Sequence, residues 1–251
     1  MSEQKHFFNA MTALGLLLAV GMASAAFILG VQAKHAVSSQ QSITVKGLAE
    51  KPVKADLAQW TINIGVVAPT QAETLQAIDR ERAVLANFLD LQGLDASMRT
   101  VNVQTLGPHY EEEYINDSPR QVQRGFEGYQ SVHISSKDLK KIAAANQAIL
   151  TLRADNHPVT SQPPEYLVSN LETVKMSLIA DATKNARTRA TEFVKQDGVK
   201  VGVMKSASQG AFYILSATGG EDSDNSYGGI YDKSTVDKIA RVVVTVVYNI
   251  E

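Results

Sequence analysis

The chain has 251 residues, with 24 basic and 26 acidic side chains, a formal net charge of −2 and no cysteine. That balance excludes the basic stripe a nucleic-acid partner needs. The missing thiols exclude a disulfide framework, a thiol nucleophile and a thiolate metal site, and are compatible with an oxidising compartment.

The 27 residues from Phe7 to Ala33 carry no charged side chain. A helix rises about 1.5 Å per residue, so roughly 20 apolar residues cross the hydrocarbon core, and the run from Ala13 to Gly30 is long enough. The expected organisation is therefore a cytoplasmic tail over 1–6, a transmembrane signal anchor over 7–33, a tether over 34–41 and an exported domain over 42–251. Glu3 offsets Lys5, and Lys34 lies on the far flank, so the orientation signal is thin. A cleaved secretory signal competes with the anchor, because Ala23-Ser24-Ala25 and Val31-Gln32-Ala33 both have the small-x-small form. Cleavage at the first would leave the apolar stub Ala26–Gly30, and the whole run exceeds the roughly 7–15 residue core of a signal peptide. Both readings deliver the bulk of the chain across a bacterial inner membrane. The 218 residues from 34 onward suffice for one large or two small domains with a self-sufficient core.

Beyond the polar tether, Ile43 and Val45 alternate with Thr44 and Lys46. Past Pro52, Trp60, Ile62, Ile64 and Val66 share one face, opposite Thr61 and Asn63, which predicts a half-buried strand. Thr70 and Glu73 have capping-box spacing, and Leu75, Ile78, Leu85, Phe88 and Leu89 continue a helix to Gly93. Val101 and Val103 open a strand, Tyr129 to Ile134 form its partner, and Pro108 to Gly128 between them is a hairpin end or a long loop. Ser136 or Asp138 caps a helix through Leu139, Ile142, Ala143 and Leu150 to about Arg153, broken by His157-Pro158. This repeats the earlier order of two strands and a helix. Leu171, Val174, Leu178, Ala182, Ala186, Ala190 and Phe193 step by three or four along the longest helical stripe, ending at Gly198. Val201 to Ile214 reads as a strand, Ser216 to Gly229 as a loop, and Ala240 to Ile250 as a final strand buried on both faces. The fold class is α+β, with an N-terminal transmembrane helix before an antiparallel or mixed sheet carrying two or three packed helices.

Ile43-Thr-Val-Lys-Gly-Leu-Ala-Glu50 followed by Val53-Lys-Ala-Asp-Leu-Ala-Gln-Trp60 resembles the opening of SIMPL-domain proteins, which are periplasmic or membrane-anchored in bacteria. The helix Ala180-Asp-Ala-Thr-Lys-Asn-Ala-Arg-Thr-Arg-Ala190, the run Gly198-Val-Lys-Val-Gly202 and the closing valine-rich strand extend the likeness over about Ser42 to Glu251. The resemblance implies an exported α+β domain, ring- or cage-like homo-oligomers, and a link to oxidative-stress tolerance or envelope antigens. It supplies no catalytic motif, and neither a cofactor nor a metal is expected.

The residues themselves offer few sites. The strained-elbow signature Gly-x-Ser-x-Gly and both glycine-rich phosphate motifs are absent. His6, His35, His109, His133 and His157 are scattered without metal-ligand spacing; His133 falls on a strand, and His109 and His157 lie beside prolines in turns. Asp222-Ser-Asp224-Asn-Ser226 alternates oxygen ligands like a calcium loop, but Tyr227 and Lys233 stand where glycine and a bidentate glutamate are needed. Glu111-Glu112-Glu113, with Tyr110 and Tyr114, reads as a solvated hairpin tip. Lys184, Arg187 and Arg189 alternate with Asp181 and Glu192 in a charged helix face with intrahelical pairs. The opposite seam of Ala182, Ala186 and Ala190 is core, or in part a face for another subunit.

The reading that results is a non-enzymatic, membrane-anchored periplasmic protein whose copies associate through strand edges and the Tyr110–Gln130 hairpin. A second possibility is a binding module using the loops after Gly107 and Ser216 to hold a ligand or envelope protein. A third is an enzyme, which would show a concave pocket gathering at least two titratable groups, such as a histidine beside a carboxylate.

Overall fold

A computed structural model describes residues 15–30, 41–115, 118–218 and 229–251. The expected tail 1–6, the loop run Asp222–Ser226 with Tyr227, and residues His6 and His35 lie outside them. The chain divides into two compact units, one of residues 1–49, 176–211 and 242–251, the other of 50–175 and 212–241.

The first unit holds helix α1 (residues 15–30), whose side chains are all exposed. Among the described residues no helix is long and apolar enough to cross a membrane, and only the central part of the expected span 7–33 falls within them. Strand β1 (Ser42–Lys54) contributes its first half to this unit. Helix α5 (Leu171–Val194), most of which belongs here, buries Leu178, Ala182, Ala186, Ala190 and Val194, every fourth residue. Phe193, expected on that stripe, is 67% exposed; strict four-residue stepping places Val194 inside instead. The three seam alanines are fully buried within the chain, so the seam is core and presents no face to another subunit. Their small size lets β1 come close. A Cβ on Gly47 would lie 2.0 Å from the carbonyl oxygen of Ala182, so only glycine fits there.

Strands β1, β9 (Asp237–Ile250) and β8 (Val201–Ser216) form a three-stranded sheet in that order. Lys200 and Glu251 exchange backbone hydrogen bonds at 2.6 and 2.9 Å, the reciprocal pair of an antiparallel ladder. Along β9 one face is fully buried, from Lys238 through Ala240, Val242, Val244 and Val246 to Tyr248, while the alternate residues are half-buried. The valine run therefore alternates; it is not buried equally on both faces as its composition suggests.

In the second unit the strand order is β3-β5-β2-β6, with β4 on β5 and β7 on β2. These are β2 (Leu57–Ala68), β3 (Arg99–Val101), β4 (Thr105–Ile115), β5 (Ser118–Ser136), β6 (Val159–Ser161) and β7 (Glu165–Leu167). Every pairing of this sheet is antiparallel. Helix α2 (Gln71–Leu91) starts at the expected capping box, both of its hydrogen bonds present, and its C-terminal end is followed by Gly93 at φ 71°. Its core stripe runs through Thr74, with Leu75 exposed: the Thr74 hydroxyl, which donates to the Thr70 carbonyl at 2.9 Å, also lies 3.2 Å from the carbonyl oxygen of Phe126 on β5. Gly128 leaves room for that contact, since a Cβ there would meet Thr74 and Ile78 at under 3 Å. The expected second helix is capped by Asp138 and divides at Ile149 into α3 (Leu139–Ala148) and α4 (Leu150–Ala154). Helices α2 and α3 pack on one face of the sheet over Trp60, Ile62, Ile64, Val132 and Ile134.

One expectation fails here: Val103 lies in no strand and is 89% exposed. The order of strands followed by a helix does recur, as β3, β4 and β5 before α3 and as the three-residue β6 and β7 before α5.

Candidate functional site

The uncovered face of the second unit's sheet carries Thr61 and Asn63 on β2 and Ser131, His133 and Ser135 on β5, the outward half of the same period-2 pattern that buries Trp60 and Ile134. Thr61 and Thr100 stand directly opposite His133 on the neighbouring strands. The imidazole Nδ1 lies 2.8 Å from the Thr61 hydroxyl and Nε2 lies 3.0 Å from the Asn102 amide nitrogen. The row is a hydroxyl, an imidazole and an amide in line; the ring proton is on Nδ1 when the Asn102 amide nitrogen faces Nε2 and on Nε2 when the amide oxygen does.

Beside it opens a cleft of about 410 Å³ lined by Gln59, Thr100, His133, Ser135, Gln162 and Glu165. A histidine and a carboxylate thus share one concavity. Glu165, however, is held by Lys233 at 3.2 and 3.3 Å, and the Trp60 indole N–H is spent on the Gln162 carbonyl at 3.0 Å. Such a surface offers neutral donors and acceptors to a polar ligand. Sequence patterning placed His133 on a strand; its assembly with Thr61, Thr100 and Asn102 depends on strand register, which spacing does not reveal.

The region expected as a hairpin end or a loop is a long ribbon. Strand β4 pairs with β5 from Thr105↔Tyr129 to Ile115↔Ser118, with a bulge that leaves Arg124 extra between His109 and Tyr110. Strand β2 follows β5 only as far as Ala68↔Phe126. Residues 109–115 and 118–125 therefore pair only with each other among the described residues, Arg124 being the bulged extra, in an arm about 23 Å long at about 3.3 Å per residue. Both of its edges carry open backbone groups. Tyr114 is 71% exposed and Tyr110 is half-exposed; Glu111, Glu112 and Glu113 are exposed as expected for a solvated tip, with Glu113 bound to Arg124 at 2.8 Å. At the base, His109 is on β4 and not in a turn; it meets Glu127 at 3.2 Å, and Tyr129 donates to the same carboxylate at 3.1 Å. That contact with Glu127 raises the Tyr129 phenol above its ordinary value.

The remaining expected sites disperse. His157 pairs with Glu81 at 2.7 Å. Arg189 donates to the Lys46 carbonyl at 3.1 Å and Arg187 lies 5.7 Å from the centre of the Tyr248 ring, so these two reach across to strands instead of forming the intrahelical pairs expected. Among the described residues no cluster of three or more histidine or acidic side chains is placed to hold a metal.

One buried charge was missed. Lys238 is 1% exposed, and its ammonium donates to the carbonyl and, at 3.2 Å, to the carboxylate of Asp232. Desolvation pushes Asp232 upward, but hydrogen bonds from Thr235, Ser234 and Lys238 outweigh it and hold the carboxyl well below its usual range. Extending the period-2 pattern of β9 back from Ala240 reaches Lys238, and a lysine in phase with valines is the signal that marks it.

An antiparallel α+β domain with an open polar sheet face and a projecting ribbon is the class these features define. The chain belongs to the SIMPL family, whose model, described as a protein of unknown function (DUF541), matches residues 43–246. No curated protein matches the chain. Among solved structures it is similar to the de novo designed protein Foldit4 (16% identity, 45% of this chain and 99% of that one, TM-score 0.24). It is also similar to CutA1 from the psychrotrophic bacterium Shewanella sp. SIB1 (9% identity, 52% and 98%, TM-score 0.24). A hydantoinase/carbamoylase family amidase from Burkholderia ambifaria matches at 14% identity, 46% of this chain and 29% of that one, with TM-score 0.24. Overlaps this weak carry no functional argument.

Proposed function

We propose that this SIMPL-domain protein is a non-enzymatic envelope component, anchored in the bacterial inner membrane through residues 7–33, whose periplasmic domain associates into ring- or cage-like homo-oligomers with a role in stress tolerance. The observation that carries this reading is the β4–β5 arm. A two-stranded ribbon is marginal in water, and one with open edges and exposed tyrosines gains most from a strand or face of another copy. Anchoring many copies on one membrane raises their effective concentration, so weak edge contacts suffice. The cleft beside His133 supports a second reading as a binding module for a polar ligand or an envelope partner.

Light scattering with size exclusion on the detergent-solubilised full chain tests assembly. The wild type should run as a defined multimer. A variant with residues 110–124 replaced by a two-residue Asn-Gly turn should keep its melting temperature and fall to a smaller species. A wild-type monomer at every concentration would overturn the reading.

A further inference from the structure

Strand β8 is the last strand of its sheet, and the part of it that belongs to the first unit, residues 201–211, meets no described strand on its outer edge. Farther on, Ile214 bridges Tyr231 on that side. Side chains 203–210 are exposed on both faces of the strand, Val203 at 64%. The sheet's other end is protected. There α5 caps the backbone of β1: Arg189 donates to the Lys46 carbonyl at 3.1 Å, and the Leu48 N–H donates to the Asn185 side chain at 3.1 Å. An open strand edge is a row of backbone donors and acceptors, and what satisfies such a row is another extended strand.

The arm supplies such a strand in every copy. On its β5 side Pro119 has no N–H to give, so the β4 side, residues 109–115, is the better edge for pairing. Two arms do not suit each other there. Antiparallel β4 strands would set Glu111, Glu112 and Glu113 of one copy against those of another, and like charges directly opposite destabilise a ladder. The β4 edge therefore needs a strand without carboxylates. From Gly198 to Ser216 the sequence holds no acidic residue; Lys200 stands opposite Glu251, and Lys205 carries the one charge of the exposed stretch 203–210. The two stretches also match in length, 109–115 spanning about 23 Å and 203–210 about 26 Å at about 3.3 Å per residue.

We propose, resting on the assembly reading above, that β8 is the acceptor for the arm: residues 109–115 of one copy add as a further strand outside residues 203–210 of a second copy. The two patches differ, so the contact is heterologous. Repeated from copy to copy it closes a ring where the rotation allows, whereas a self-complementary contact would stop at a pair.

The chain has no cysteine, so thiol cross-linking has no background. Glu112→Cys and Ser206→Cys, both at exposed positions, are made in full chains carrying different tags, expressed together and singly in a bacterium, and treated with a flexible bis-maleimide. Linked dimers should form on co-expression and hold one chain of each tag, and the double variant should give a ladder of multimers. Glu112→Cys linking when expressed alone would make arm-to-arm pairing the contact, and Ser206→Cys doing so would make it β8 to β8; either result overturns the proposal. A multimeric wild type with no link in any combination overturns it too and leaves the assembly reading standing, whereas a monomeric wild type removes both. Ser206→Glu with Ser208→Glu, two exposed changes that spare the core, should weaken association about tenfold by setting carboxylates against the arm, while Ser206→Lys with Ser208→Lys should keep the multimer. Equal effects of the two pairs would overturn the acceptor assignment.

Discussion

Asp232 and Lys238 show how differently the two ends of one ion pair respond to loss. Removing Asp232 leaves an ammonium with no exposed surface and no counter-charge, whereas removing Lys238 leaves a carboxylate that is 12% exposed and still bonded to Ser234 and Thr235. Asp232→Ala should therefore cost roughly 3 kcal/mol in urea denaturation, while Lys238→Met, which buries an apolar chain of similar length, should stay within about 1 kcal/mol of the wild type. The pH dependence follows from the depressed Asp232 carboxyl. Because its folded pKa lies below the unfolded value of about 3.9, its stabilisation is complete above that pH and is lost as pH falls through the folded pKa. Asp56, lowered by its bonds to Ser169, acts in the same direction. The stability gap between the wild type and Asp232→Asn should thus be at its full width near neutrality, begin to narrow below about pH 4 and close only as pH falls through the lower folded pKa; a gap that widened in acid would refute this account. Lys238 was legible as an anomaly in a valine strand, but its partner was not. Asp232 lies six positions back in an irregular segment, and only the folded path brings the two within 3.2 Å.

At the scale of elements, period and capping were legible and register was not. Trp60 to Val66 alternate as read, and Thr70 with Glu73 closes the α2 capping box, because these are local facts of backbone geometry. Thr70→Ala should cost about 1 kcal/mol without altering the fold, measurable by thermal melts. The ribbon from Thr105 to Gly128 was legible only as a hairpin end or a long loop, since three consecutive glutamates, two prolines and three glycines carry the composition of a loop. Its strands are long because they pair with each other, and cross-strand pairing is a non-local quantity. The contact of α5 with β1 makes a sharper prediction. Gly47→Ala drives a methyl group into the Ala182 carbonyl, and a clash with backbone is not relieved by a rotamer change. We expect losses at or above the roughly 1–3 kcal/mol typical of overpacking. A Gly47→Ala protein with wild-type stability would mean that this approach is looser than described.

For the whole molecule, the exported and anchored state is the part of the proposal furthest from local geometry. Leu16, Leu17, Phe27 and Leu29 on α1 are all more than two-thirds exposed, an apolar surface that soluble monomers rarely leave uncovered. After expression in a bacterium, the protein should stay with membranes through an alkaline carbonate wash and retain an N-terminus upstream of Phe7. Soluble material beginning after Ala33 would replace the anchor with a cleaved signal, and the assembly would then form from free domains.

What the sequence by itself determined is everything governed by neighbours along the chain: the uncharged run 7–33, the alternation of β2, the capped α2, the four-residue stripe of α5 and membership of the SIMPL family. Tertiary structure alone decided the strand order β3-β5-β2-β6, the projection of the arm past Ala68 and the hydrogen-bonded row at His133. Periodicity specifies which face of an element avoids water. Which elements then meet, and in what register, is set by the packing of distant residues, a free energy that no short window of sequence contains.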